Sequence, residues 1–444
     1  MLIRFNVSNF LSFGEETEFN MLTGTIRSHE HHVYSAGKLD VLKAAAIYGA
    51  NGAGKSNLIK AMYLLQKSVG QGFIPRLLDD KKFKLDKKYK EKPTSLEIEF
   101  SIDKKIYSYG ISFNNNVILE EWLYESGINT ADKMIFERTT DESNTSIKVA
   151  KKYQKTNKEK VYIEVLEDFL EPNELLVSMN KKLEIEEISM VRNWMEKSLI
   201  ILFPQSKFYE LVLNLSKSKN LRLFANELLH TFDTGVEELN IQQIDFEKYF
   251  GEDNEDLKKE IAGELNDSNG YLIPDKSGAV LASIKGGKRI VEKIISVHKN
   301  NKNEAIKFEL EEESDGTLRL LDFISAFAAI LQSEATIIVD EIDQSLHPVL
   351  LYSLVGKIMN DKTTKGQFIF TTHESNLLDL KIFRQDEIWF VEKDRKTGST
   401  QIYPLSEFKP RNDLDIRKGY LNGRFGAIPF LAHLEDLNWH AHGT

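Results

Sequence analysis

The 444 residues contain no cysteine, which excludes disulfides, thiolate nucleophiles and thiolate metal sites. Long apolar runs are missing too. The longest, such as Phe323 to Leu331, fall far short of the ~20 residues a membrane helix needs. The opening MLIRFNVSNFLSF alternates apolar and polar residues like a strand and lacks the apolar centre of a signal peptide. A cytoplasmic protein with no membrane contact is expected. Positive charge is in deficit: 58 Lys and Arg face 68 Asp and Glu, a net charge of -10. Such a balance disfavours general attraction to nucleic acid, which needs local Lys and Arg. Two basic runs stand against it, DDKKFKLDKKYKEK (79 to 92) and KKYQKTNKEK (151 to 160). Each reads first as a solvated surface and second as a nucleic-acid contact. Internal repeats, low-complexity segments and sustained heptads are also absent. What remains is an ordinary globular composition, 41% hydrophobic and 28% charged, long enough for two or three domains or one large domain with an insertion.

The most specific stretch present is AAAIYGANGAGKSNLIKAM, residues 44 to 62. A small apolar strand runs into Gly49, Ala50, Asn51, Gly52, Ala53, Gly54, Lys55 and Ser56, and a helix begins near Asn57. The G-x-x-x-x-G-K-S spacing is the Walker A pattern. Its glycines let consecutive backbone N–H groups turn toward phosphate oxygens, and the following helix start reinforces the anion site. Lys55 is placed to reach the β- and γ-phosphates of a nucleotide, and the Ser56 hydroxyl to ligate Mg²⁺. KGGK at 285 to 288 has no such context and reads as a surface turn.

A second motif, TIIVDEID, has four apolar residues that drive a strand into a sheet. Asp340 then emerges at the strand's C-terminal end, where ligands sit in open α/β sheets. This is the Walker B pattern: Asp340 is a metal ligand and Glu341 orients or deprotonates the attacking water. His373 closes the next strand, FIFTTHES, within reach of the γ-phosphate. Ser314, Gly316 and Thr317 in ESDGTLRLL start a helix before the Walker B strand and form a second anion-binding helix start. HEHH, residues 29 to 32, has no matching ligands at regular spacing elsewhere and reads as a polar loop.

Periodicity divides the chain into three. Residues 1 to 130 read as strands around the phosphate loop, with an antiparallel β layer in TSLEIEFSI, KIYSYGISF and VILEEWLY. Residues 131 to 304, including EIEEISMVRNWMEKSLIILF, read as a mostly helical insertion. Residues 305 to 444 return to strand–helix alternation and a parallel sheet. The expected fold is α/β: a P-loop ATPase with an antiparallel β lobe, a mainly parallel core sheet and the helical insertion.

The order of these parts resembles the ATP-binding-cassette ATPases of the SMC and RecF kind: Walker A, long insertion, serine-glycine signature helix, Walker B with Glu, IDQSLHP as a D-loop, then a switch His. IRFNVSNFLSF is similar to their first strand, which implies that Asn9 and Phe10 approach the nucleotide base. YLNGRFGAIPFL, residues 420 to 431, looks like the tail of stand-alone AAA-type ATPases of prokaryotic defence loci, as in PARIS systems or beside RloB-like proteins. The signature ESDGT departs from the LSGGQ of transporters, and Glu120 or Glu121 occupies the Q-loop region. The resemblance implies an ATP- and Mg²⁺-dependent, slow ATPase. It further implies head-to-tail homodimers or higher homo-oligomers in which Ser314 and Gly316 act on the partner's nucleotide, with Thr317 beside them in the same signature. It also implies a sensor and scaffold that responds to a DNA or phage-protein trigger and controls a separate effector, the Toprim-type nuclease among those expected. No nuclease signature is visible in this chain. A RecF/SMC-like repair ATPase that clamps DNA directly is the alternative.

Overall fold

The computed structural model describes residues 1–428 apart from 76–77, 79–80, 129, 142–143, 180–184, 208–209, 252–253, 267–269, 276–277 and 412. Two compact units result. The first comprises Met1–Leu202, Ser333–Ile342 and Leu354–Thr444; the second, Phe203–Gln332 and Asp343–Ser353.

The first unit is organised by a six-stranded sheet in the order Leu199–Leu202, Thr336–Val339, Gln367–Thr372, Ala44–Gly49, Ile388–Lys393, Thr400–Pro404. The first five run parallel and the last is antiparallel. Ala44–Gly49, Thr336–Val339 and Gln367–Thr372 are buried along their whole length. Continuous burial explains why their sequences are near-continuous apolar or small runs: both faces are covered, so no polar alternation is possible. Because neighbouring strands are parallel, their C-terminal ends share one edge, the edge where open α/β sheets bind ligands. The helix Lys55–Gln71 follows the central strand and buries Leu58, Ile59, Met62, Leu65 and Val69 at helical spacing.

This unit also holds a seven-stranded antiparallel sheet, in the order Asn144–Val149, Lys133–Asp141, Val117–Glu125, Lys105–Asn114, Thr94–Ile102, Leu2–Ser8, Thr17–Asn20. Here the alternation is visible: in Thr94–Ile102 burial switches residue by residue through most of the strand. The second unit holds a five-stranded antiparallel sheet in which Lys288–Lys299 pairs with Glu238–Asp245, Gly278–Lys285 and Ala305–Glu309. Phe246, Phe250, Ile261, Leu265, Ile273 and Val291 are among its buried core. The helix Asp315–Gln332 belongs to it as well.

Three sequence expectations are corrected. Residues 131–304 are not mostly helical. Lys133–Asp141 and Asn144–Val149 extend the antiparallel sheet, and four strands of the second unit's sheet lie in the same stretch. The LIIL of MEKSLIILF, read as helix, is the edge strand Leu199–Leu202, paired in parallel with Thr336–Val339. Four consecutive branched aliphatics fit either a buried helix or a buried strand, and tertiary pairing decides between them. The division also falls elsewhere: the second unit begins at 203, not 131, and takes Asp315–Gln332 from the 305 to 444 segment. KGGK is the turn of the Gly278–Lys285/Lys288–Lys299 hairpin, with Gly286 and Gly287 both at positive φ, as two-residue hairpins require.

Candidate nucleotide-binding site

Three adjacent parallel strands deliver the site. Ala44–Gly49 leads into the glycine-rich loop, Thr336–Val339 into Asp340 and Glu341, and Gln367–Thr372 into His373. A cavity of about 390 Å³ is lined by Ala50, Asn51, Gly52, Ala53, Gly54, Lys55, Ser56, Asn57, Glu341 and His373. Gly54 (φ 119°) precedes the helix Lys55–Gln71 in a conformation that L side chains rarely adopt. A Cβ there would overlap Thr400 Oγ1 and sit 2.8 Å from Ser12 Oγ. Lys55 is buried, and its ammonium donates to the carbonyls of Gly49 (2.7 Å) and Ala50 (3.3 Å), which curls its side chain along the loop.

Ser56 and Asp340, 284 residues apart in sequence, meet: the Ser56 hydroxyl donates to Asp340 Oδ1 at 3.1 Å. Thr371 completes the arrangement. Its hydroxyl donates to the same Oδ1 at 2.6 Å and accepts the Glu341 N–H at 2.8 Å. Asp340 is 2% exposed and Thr371 fully buried. Glu341 has φ 51°, an uncommon conformation for a non-glycine residue. The Thr371 hydroxyl and carbonyl hold this turn, the carbonyl accepting from Ile342 N–H at 3.0 Å. A hydroxyl and a carboxylate side by side at the rim of a phosphate-sized cavity are a hard-oxygen donor set that fits Mg²⁺. Ser56 and Asp340 are the residues that would hold it.

Ser12 and Thr400 brace the loop from outside. Ser12 Oγ accepts from Asn57 Nδ2 and from Thr400 Oγ1, both at 2.8 Å, and Thr400 Oγ1 also lies 2.8 Å from the Ala53 carbonyl. Neither residue carries a local sequence signal, because 388 residues separate them. Thr371 offered one: a threonine inside an apolar strand, two residues before the expected switch His.

Not every expected residue reaches the cavity. Asn9 and Phe10 are buried and line none of it. Asn9 instead donates to the carbonyls of Tyr89 and Lys92 at 2.8 Å and accepts Phe83 N–H at 3.1 Å. Its amide is a tether for the 83–93 loop. Ser314, Gly316 and Thr317 belong to the second unit and line none of the cavity either. They form a helix start as expected: Ser314 Oγ accepts Thr317 N–H at 3.1 Å, capping Asp315–Gln332. Glu121, in the Q-loop region, is a buried anchor. It accepts the N–H groups of Leu176 (2.7 Å) and Val177 (3.0 Å) and the Tyr109 hydroxyl (3.1 Å), and burial raises its pKa.

A family model described as "AAA domain, putative AbiEii toxin, Type IV TA system" matches residues 44–379, the span that carries every motif above from the glycine-rich loop to His373. The chain belongs to this family. No curated protein matches it. Among solved structures it is similar to the SmcHead bound to the C-winged helix domain of ScpA (TM-score 0.44, 14% identity, 92% of this chain and 99% of that one). It is also similar to the SMC head domain from Thermotoga maritima (0.39, 13%, 91% and 98%). A third is the Smc head domain with an extended coiled coil bound to the C-terminal domain of ScpA derived from Pyrococcus furiosus (0.42, 15%, 92% and 97%). The α/β P-loop fold stands on the strand order and the site itself. No described helix is long and apolar enough to cross a membrane.

Elsewhere in the first unit, the HEHH loop is more than a polar surface. His29, His31 and His32 have ring atoms within 4.8 Å of one another. His29 Nε2 contacts the Leu380 carbonyl at 3.0 Å, and His31 and His32 both contact the Met359 carbonyl, at 2.9 and 2.8 Å. His32 is buried, with Nδ1 at 2.9 Å from the fully buried Glu387 carboxyl. The spacing alone would suit an ion pair, yet burial pushes both groups toward neutrality. It lowers His32 to about 4 and raises Glu387 well above the usual carboxylate range. One proton shared between Nδ1 and the carboxyl satisfies both, with Nε2–H donating to Met359.

Proposed function

We propose that this chain binds ATP with Mg²⁺ and hydrolyses it slowly, as a switch that governs assembly. The observation that supports this reading most is the convergence of Ser56, Asp340, Thr371 and Glu341 beside the glycine-rich loop. Backbone N–H groups of Gly52 to Ser56 and the Lys55 ammonium take the phosphates. Ser56 and Asp340 would hold Mg²⁺, which would supply charge neutralisation to the phosphates. Glu341 takes the proton of a water whose oxygen attacks the γ-phosphorus; the bond to the β-phosphate oxygen breaks and ADP leaves. His373, on the cavity rim, donates to the γ-phosphate.

In this reading two copies associate head to tail, and the helix start of Ser314, Gly316 and Thr317 covers the nucleotide of the other copy. ATP then belongs to the interface, so its binding shifts the assembly equilibrium by mass action. The biological setting we infer is an anti-phage defence system of the PARIS or RloB-associated kind, in which this ATPase holds a separate effector, a nuclease in another chain, until a phage trigger arrives. The family description, which names a toxin of a Type IV TA system, supports a role in such a locus. The test is native mass spectrometry of the tagged chain expressed with its operon neighbours, with and without ATP and Mg²⁺. A nucleotide-dependent homo-oligomer carrying a co-encoded protein is expected. A monomer in every condition would overturn the switch, and a homo-oligomer alone would overturn the effector assignment.

A further inference from the structure

The basic run expected to be solvated surface has a built shape. Residues 81 to 92 hold seven lysines against Asp86 and Glu91, in a chain whose net charge is -10. Asn9 fixes the backbone of this loop at Phe83, Tyr89 and Lys92, and Leu11 N–H donates to the Lys81 carbonyl. Two aromatic side chains anchor the loop from beneath: Phe83 and Tyr89 are buried and pack edge to face at 5.2 Å. Lys82 is buried as well, its ammonium donating to the Lys90 carbonyl and to Asn114. Lys88 pairs with Glu15 at 3.0 Å, and Lys88 and Lys92 lie over the Tyr89 ring. Lys81, Lys84, Lys87 and Lys90 remain exposed, and no carboxylate among the described residues pairs with them.

Holding that many like charges on one tethered loop costs stability, and the loop offers a polyanion what it withholds from the protein. The chemistry favours a phosphate backbone over an acidic protein. Protein interfaces deplete Lys at their centre and enrich aromatics. Here the aromatics are underneath and Leu85, 67% exposed, is the single large apolar side chain of the loop that faces out. Flexible lysine point charges with no directional partner suit repeated phosphates. The segment Asn9–Ser12 runs between the loop and the nucleotide site. Asn9 and Leu11 hold the loop, while Ser12, one residue on, accepts from Asn57 of the glycine-rich loop's helix.

We propose that the lysine loop 81–92 binds the phosphate backbone of a nucleic acid, and that the segment Asn9–Ser12 links it to the nucleotide site. The binding surface stands on the loop alone; only the link rests on the ATP reading. Fluorescence anisotropy of the full chain with a short labelled DNA duplex, its single strand and the matching RNA, without nucleotide, tests the surface. ATP binding is measured separately, so the two readings fail separately. The variant Lys81→Gln/Lys84→Gln/Lys87→Gln/Lys90→Gln should bind at least about tenfold more weakly and flatten the salt dependence by about 0.9 log units per log unit of salt for each phosphate it no longer neutralises. If all four lysines neutralise a phosphate, the wild type loses about 100-fold more affinity than the variant between about 50 and 200 mM salt. The four-arginine variant should retain binding, and Lys84→Glu alone should weaken it if the fourfold variant misfolds. No binding to any of the three probes, or unchanged affinity and slope in the variants, overturns the proposal. So does equal affinity for poly-glutamate, which would assign the loop to an acidic protein.

Discussion

Replacing Thr371 with valine keeps the shape of a fully buried side chain and removes one oxygen. That oxygen serves two partners, Asp340 Oδ1 at 2.6 Å and the Glu341 N–H at 2.8 Å. A buried N–H left without a partner costs roughly 1–3 kcal/mol, and a hydrogen bond to a charged group contributes roughly 1.5–3 kcal/mol. The two losses share one atom and are not additive, so about 3 kcal/mol of local ordering is at stake. The loss falls on the orientation of the Asp340 carboxylate and on the left-handed turn that aims Glu341, not on the phosphate loop. Since about 1.4 kcal/mol is tenfold in rate, kcat should fall about 10- to 100-fold. The affinity for ATP should change little, and half-saturation by Mg²⁺ should rise. Steady-state ATPase kinetics against both ATP and Mg²⁺, with the affinity for ATP from calorimetry, separates these effects. Thr371→Ser restores the oxygen and should recover most of kcat. Full turnover in the valine variant, or a serine variant as slow as valine, would refute the positioning role.

Lys55→Ala should weaken ATP binding by at least about 100-fold, about 2.7 kcal/mol, measured by calorimetry; unchanged affinity would remove the loop from the site. Glu341→Gln should bind ATP normally, turn over about 10²- to 10⁴-fold more slowly and accumulate an ATP-bound oligomer in native mass spectrometry. Full turnover would mean another base. Gly54→Ala should abolish ATP binding, because its φ of 119° is strained for alanine and the new methyl meets Thr400 and Ser12; wild-type ATP affinity would contradict that geometry. The buried His32–Glu387 pair predicts a pH optimum of stability. Folded, it holds one proton; unfolded, the two groups titrate at their ordinary 6.5 and 4.5. Above pH 6.5 folding must take up that proton, so stability falls as pH rises; below 4.5 the unfolded chain holds two, so stability falls as pH falls. Glu387→Gln should gain on the wild type in urea denaturation by up to about 1.4 kcal/mol per pH unit above neutrality, and a pH-independent difference would refute the shared proton.

Local chemistry was legible from the residues alone. The glycine spacing from Gly49 to Gly54, the apolar strand that ends in Asp340 and Glu341, and the Ser314 helix cap each depend on neighbours within a few residues, and each is found where it was expected. Backbone conformation and short-range hydrogen bonding decide such features, so they are legible without the fold. Long-range packing set the rest. LIIL became a sheet edge because Thr336–Val339 offered it a partner more than 130 residues away in sequence. Asn9, expected near the nucleotide base, became a tether because the 83–93 loop surrounds its amide with backbone partners. Thr371, Ser12 and Thr400 acquired their places through hydroxyl contacts across 30 to 388 residues. A hydroxyl in a sequence carries no mark of which distant polar group will need it; that need arises only when the fold buries the group and leaves one oxygen within reach.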